Sequence, residues 1–277
     1  MADASTPSTG TLKVPGADLY YEVRGHGPLV ALVGSPMNAG PFAALADLLA
    51  DGYTVLTADP RGIRHSVLED PEEATTVETR ADDLARLLEH VGSGPAAVLG
   101  SSGGAVTALA LAQARPDLVG TVVPHEPPLD ELLDEREEHR AATGRMIETY
   151  RSGDVLGAWS MFMDHANIRL PEGALEHMFG GERDPQDVAD ERRFFLYDLP
   201  ATTGWLPDTE ALRSGGADVV LGIGEDSAGE LCDRTTRALA GLLGTEPVLF
   251  PGGHTGFTAE EDPQAFAARL RPIIGGA

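Results

Sequence analysis

A mainly parallel β-sheet with helices on both faces is the fold class that this 277-residue sequence predicts. Two observations carry the expectation. Six short apolar runs read as buried strands: "PLVALVG" (28–34), "YTVLTADP" (53–60), "AAVLG" (96–100), "GTVVPHE" (120–126), "DVVLGIG" (218–224) and "PVLFPGGH" (247–254). Most of them are separated by stretches of helical pattern, which makes βαβ units and a doubly wound sheet.

Each element follows in order. Residues 1–10 read as a disordered tail, and "LKVPGADLYYEVRGHG" alternates around a Pro-Gly turn as an antiparallel hairpin does. "FAALADLLAD", "VETRADDLARLLEHVG", "AVTALALAQARPD", "LCDRTTRALAGLLG" and the final "DPQAFAARLRPII" are the helices between and after the strands. The interval 128–212 is different: long, charged, rich in helix formers and without a buried strand pattern. Residues 1–127 and 213–277 are therefore expected to form the α/β core, and 128–212 a helical insertion that serves as a lid over a binding cleft.

Composition narrows the function classes. Hydrophobic content of 42% and charged content of 23% are those of a globular protein. The formal charge of −24 argues against nucleic acid or an anionic membrane surface as partner, since phosphates would be repelled. Cys232 is the single cysteine, so neither an intrachain disulfide nor a cysteine zinc site is expected. The opening "MADASTPSTG" lacks the basic start and apolar run of a secretory signal, and no stretch reaches the ~20 apolar residues of a membrane span. A soluble cytoplasmic protein is the expectation. A homodimer is compatible with the sequence, which does not fix the oligomeric state.

The chemistry centres on "GSSGG". Gly100-x-Ser102-x-Gly104 lies between a strand and a helix, the context of a nucleophile elbow. Such a turn strains the nucleophile's backbone and leaves no room for side chains two residues to either side, hence the glycines. The helix N-terminus then points its positive end at the site. Spacing selects Ser102 rather than Ser101. A phosphate loop is a poor alternative, because no lysine follows the glycines. A serine hydroxyl needs a base. His254 follows the last strand, on the sheet edge where ligands bind, and completes the chain order serine, acid, histidine.

These residues resemble the α/β-hydrolase family. "PLVALVGSP" is similar to the strand and turn that end in His-Gly-x-Pro in many members, with Val33 in the histidine's place. "DPRGIRHS" resembles the Asp-x-Arg-Gly-x-Gly-x-Ser turn, with Arg64 replacing a glycine. The resemblance implies an oxyanion hole from the N–H groups of Ser35 and Gly103; Pro36 has no N–H to offer. Two carboxylates compete as the third member of a triad. In most members the acid follows the strand that here reads "DVVLGIG", which favours Asp226, one residue before the usual position at Ser227. The other is Glu126, whose longer side chain reaches from the loop after the next strand over. "GSSGGAVTALALAQARPDLVGTVVPHEPP" and "LFPGGHTGF" resemble the zearalenone lactonase group, which implies Glu126. His125 and Glu126 as metal ligands would lack further ligands at suitable spacing, so no metal and no cofactor are expected.

The expected activity is serine hydrolysis of a small apolar carboxylic ester or lactone through an acyl-enzyme. Carbon–carbon bond hydrolysis by the same triad, and a non-catalytic receptor that keeps the triad as a ligand clamp, remain open. In the insertion, Trp159 and Trp205 are the expected substrate contacts.

Overall fold

The computed structural model describes residues 6–92 and 94–275. Its strands are β1 (Ser8–Val14), β2 (Ala17–Arg24), β3 (Leu29–Val33), β4 (Thr54–Ala58), β5 (Val67–Leu68), β6 (Ala96–Ser101), β7 (Val119–His125), β8 (Asp218–Val219), β9 (Gly222–Gly224) and β10 (Val248–Phe250). Helices α1 (Ala43–Leu49), α2 (Val77–Val91) and α3 (Gly103–Ala114) alternate with the first strands. Six helices then follow without a strand: α4 (Arg136–Arg151), α5 (Val155–Ala166), α6 (Ala174–Phe179), α7 (Pro185–Arg193), α8 (Leu199–Thr203) and α9 (Thr209–Ser214). The last two are α10 (Leu231–Leu243) and α11 (Pro263–Ile274).

All ten strands join one sheet in the order β1-β2-β4-β3-β6-β7-β9-β10, with β5 on β2 and β8 on β7. The hairpin β1–β2 and its junction with β4 are antiparallel; from β4 through β10 the pairing is parallel. Three expectations shift at their ends. β1 already begins at Ser8, so residues 8–10 are strand rather than tail, while residues 1–5 lie outside the described residues. The run 218–224 divides into β8, which pairs with β7 alone, and β9, which bridges β7 and β10. β10 stops at Phe250 and leaves 251–254 as a turn.

Alternation along the buried strands feeds two cores. Val30 and Leu32 of β3 meet α1 and α11 on one face, with Phe42, Phe250, Phe257 and Phe266. Ala31 of the same strand faces the other way, into the core beneath α2, α3 and α10. α3 is apolar all round because it is covered all round: Gly103 to Ala112 are buried without exception. A third core, of Met146, Ala158, Phe194, Phe195 and Leu199, belongs to the helical segment itself. There α7 runs through a π-helical turn, Phe194–Asp198, into α8. The widened turn puts both phenylalanines and Asp198 on the inner side of one short stretch.

Arginines fasten this segment to the connection between β4 and α2. Arg193 is buried and donates to the carbonyl oxygens of Arg61 and Glu73 and to the Thr75 hydroxyl. Arg64 pairs with Asp187 at 2.8 Å, and Arg192 with Glu72 at 2.7 Å.

Strand order reverses at β3, whose neighbours β4 and β6 lead the chain to opposite sides, and ligand crevices form at such points. The turn after β6 is the tightest part of that edge. Ser102 has φ 56° and ψ −124°, and its N–H donates to the His125 carbonyl, 3.0 Å away. A Cβ on Gly104 would run into the Val33 carbonyl oxygen, and one on Gly100 into that of Gly104. Both obstacles are backbone. Gly104→Ala is therefore expected to lower unfolding free energy by about 1–3 kcal/mol in urea melts, because neither β3 nor α3 can yield.

Candidate active site

Ser102 stands at the N-terminus of α3 without capping it, so the N–H groups of Gly103 and Gly104 get no partner from its side chain. Its neighbour Ser101 still belongs to β6 and is fully buried. Ser102 is half-buried and lines a cavity of about 200 Å³ together with His254 and Ser35. Its Oγ makes no hydrogen bond among the described residues; such contacts are often loose until substrate is bound.

Glu126 occupies the first position after β7, with φ 55°. It is fully buried, and both carboxylate oxygens are engaged. Oε1 accepts the Gly224 N–H at 2.8 Å, and Oε2 lies 2.5 Å from His254 Nδ1. Burial pushes the carboxyl pKa up, but the His254 hydrogen bond and the nearby imidazoles outweigh it, and the result is about 2. For His254 burial favours the neutral ring, yet the bond to Glu126 and its charge win and raise the pKa above the ordinary imidazole value. A carboxylate–imidazole pair of this kind orients the ring and stabilises the imidazolium.

The structure thus brings Glu126, and not Asp226, to His254. The Asp226 side chain is exposed, and among the described residues it makes no hydrogen bond to the histidine. Ser227, at the position where most relatives of this pattern place the acid, is fully buried in the same neighbourhood. His125 turns the opposite way. Its ring sits among Phe250, Phe257 and Phe266, neither nitrogen has a partner, and burial lowers its pKa to about 4.

Ser35 follows β3 and is itself buried. A Cβ on Gly103 would sit 2.5 Å from the Ser35 carbonyl oxygen, so the two loops touch. Arg80 of α2 fixes the serine from behind. Its guanidinium is buried and donates to Ser35 Oγ at 2.6 Å and to Thr202 Oγ1 of α8 at 2.8 Å. One cation therefore joins the loop after β3 to the helical segment.

The rest of the cavity wall is largely apolar. Trp159, Phe162 and Phe194 line it, with Ile168, Leu199 and Leu231. Trp159 is held by its indole N–H on Glu191, 2.6 Å away, and by stacking on Phe179 and Phe194. Trp205 does not reach this cavity. Its ring packs against the core under α2 and α3, and its indole N–H donates to Glu78 of α2 on another surface. Sequence reasoning missed Asp198, Glu230 and Cys232, which do line the cavity. Asp198 arrives through the π-helical turn, Glu230 at the N-cap of α10 and Cys232 in the first turn of that helix; none has a motif that announces it.

Arg80→Met is expected to cost about 2–3 kcal/mol in urea denaturation, since two buried hydroxyls lose a charged donor.

Comparison with known proteins agrees with this architecture. Residues 27–157 match the family described as alpha/beta hydrolase fold. The uncharacterized hydrolase YraK of Bacillus subtilis is 34% identical over 282 residues, covering 97% of both chains. A zearalenone hydrolase of Bionectria ochroleuca is 29% identical over 171 residues, 58% of this chain and 65% of that one. Among solved structures, an alpha/beta hydrolase from Sphaerobacter thermophilus superposes with a TM-score of 0.71 at 24% identity, over 95% of this chain and 99% of that one. Sheet order, elbow and full-length similarity to a bacterial hydrolase together make this chain a member of the α/β-hydrolase family, and a hydrolase.

Proposed function

We propose that the protein is a cofactor-free serine hydrolase of carboxylic esters or lactones, with Ser102 as nucleophile, His254 as base and Glu126 as the acid of the triad. The observation that carries this reading is the 2.5 Å contact between His254 and the buried Glu126, beside an elbow-held serine in one cavity. His254 takes the Ser102 proton as Oγ attacks the carbonyl. The negative charge that develops on the carbonyl oxygen is met by the N–H groups of Ser35 and Gly103, each worth roughly 3 kcal/mol of barrier. The imidazolium returns the proton to the leaving alkoxide, and water then releases the acyl group by the same steps in reverse order.

An apolar wall of Trp159, Phe162, Phe194 and Leu199 suits an apolar ester or macrocyclic lactone, with residues 128–212 as its cap. The similarity to a zearalenone hydrolase supports the lactone within this class.

Ser102→Ala is expected to reduce kcat on an activated aryl ester by roughly 10⁴-fold or more, and to abolish labelling by a fluorophosphonate. Turnover of a vinylogous diketone without any ester turnover would replace this reading by carbon–carbon hydrolysis. Glu126→Gln should lose about 10⁴-fold in kcat, as triads do when the acid can no longer fix the imidazole, while Asp226→Asn keeps its activity. Because His254 must be neutral to accept the proton, kcat/KM is expected to fall on the acid side, with an apparent pKa above the ordinary ~6.5 of imidazole. Removing the Glu126 charge moves that limb to lower pH. A pH–rate series on both proteins reads the difference.

A further inference from the structure

At the root of the helical segment three side chains converge that the hydrolytic chemistry does not use. Asp130 lies four residues beyond Glu126, His139 on α4 and His165 on α5. One nitrogen or oxygen from each lies within 4.8 Å of the other two. His165 Nε2 is 3.2 Å from Asp130 Oδ2, and the two imidazoles meet edge to face at 4.9 Å. That 3.2 Å is already close to the ~3.3 Å edge of a tetrahedron built on zinc–ligand bonds of about 2.0 Å.

The second observation is what the cluster leaves unpaired. Asp130 is 2% exposed, yet its Oδ1 has no hydrogen-bond partner, and neither has the buried Nε2 of His139. A buried carboxylate oxygen normally finds a donor, and a missing one marks an ion or another role. The other charged groups facing His139 are Glu135 and Arg234, which are paired with each other.

We propose that Asp130, His139 and His165 bind one divalent first-row transition cation of the zinc type. Two imidazoles and one carboxylate suit Zn²⁺ or Co²⁺ far better than Mg²⁺ or Ca²⁺, which take oxygen ligands. His165 also lines the substrate cavity, which puts the cluster beside it. The ion would clamp α4 and α5 to the chain that emerges from Glu126, and so tie the cap to the triad's acid.

Tag-free full-length protein, stripped with chelator, is titrated with Co²⁺ and with Zn²⁺ under calorimetry and visible absorption. The expected result is one ion per chain, intense d–d bands for Co²⁺, no comparable binding of Mg²⁺, and a Tm raised by about 5 °C at a hundredfold excess over Kd. His139→Gln, at a partly exposed helix position, and the double variant with His165→Gln should weaken binding by more than the roughly 10–100-fold that loss of an outer-shell partner costs. The proposal is overturned by substoichiometric binding to the native chain, or by binding that survives in the double variant. Binding abolished instead by His254→Gln would place the ion on the Glu126 pair and equally refute it. Hydrolysis of aryl esters by His139→Gln, read separately, reports on the triad and not on the ion.

Discussion

A carboxylate with no access to water governs this molecule. Glu126 is shielded completely, and ionising such a group in a protein interior costs several kcal/mol unless donors replace its hydration. Each of its oxygens has one, and the donors come from different parts of the sheet: Gly224 from the end of β9, His254 from the turn after β10. The strand that carries Glu126 also receives the Ser102 N–H, through the His125 carbonyl. Three loops that are distant in sequence are therefore held by one buried charge and one peptide hydrogen bond. Loss of β9 or β10 pairing would leave the charge unmatched, so sheet assembly and site assembly are a single event.

The parts of the site that were legible in the sequence are those where backbone geometry dictates residue type. Gly100 and Gly104 could be read because a side chain at either position collides with main chain. His254 could be read because chain order in a parallel sheet decides which loops share an edge. The acid could not be settled in that way, since Glu126 and Asp226 both follow strands whose ends open on the same edge. What separates them is side-chain length and direction: the glutamate turns inward from a left-handed backbone, while Asp226 points to solvent. Trp205 shows the opposite limit. An aromatic on a loop shields whichever surface the next helix offers, and here that surface is α2. Asp130, His139 and His165 were invisible for a related reason, because they come from three elements at spacings of no recognisable motif.

Polar groups around the cavity are also divided by distance from water. Arg80 secures the Ser35 loop from behind and is fully covered, whereas the wall in front is aromatic. Charge therefore acts behind the Ser35 loop, and the wall that faces the cavity is mainly apolar. Burial and the Glu126 charge both push the Glu230 carboxyl pKa upward, so one acid behind the cavity is kept ionised by its donors while another, on the cavity wall, is biased toward its neutral form.

The fastening of the helical segment has a bearing on how a substrate enters. Arg193 and its bonds to the backbone at Arg61 and Glu73 hold α7 like a rivet, and swinging that helix outward would strip a buried guanidinium of its acceptors. α6 has no such anchorage, for none of its residues is buried. Its Phe179 lies flat on Trp159, which itself lines the cavity. Parting α6 from the indole face would therefore give up one aromatic stack and no buried ion pair, a smaller loss than parting α7 from its acceptors.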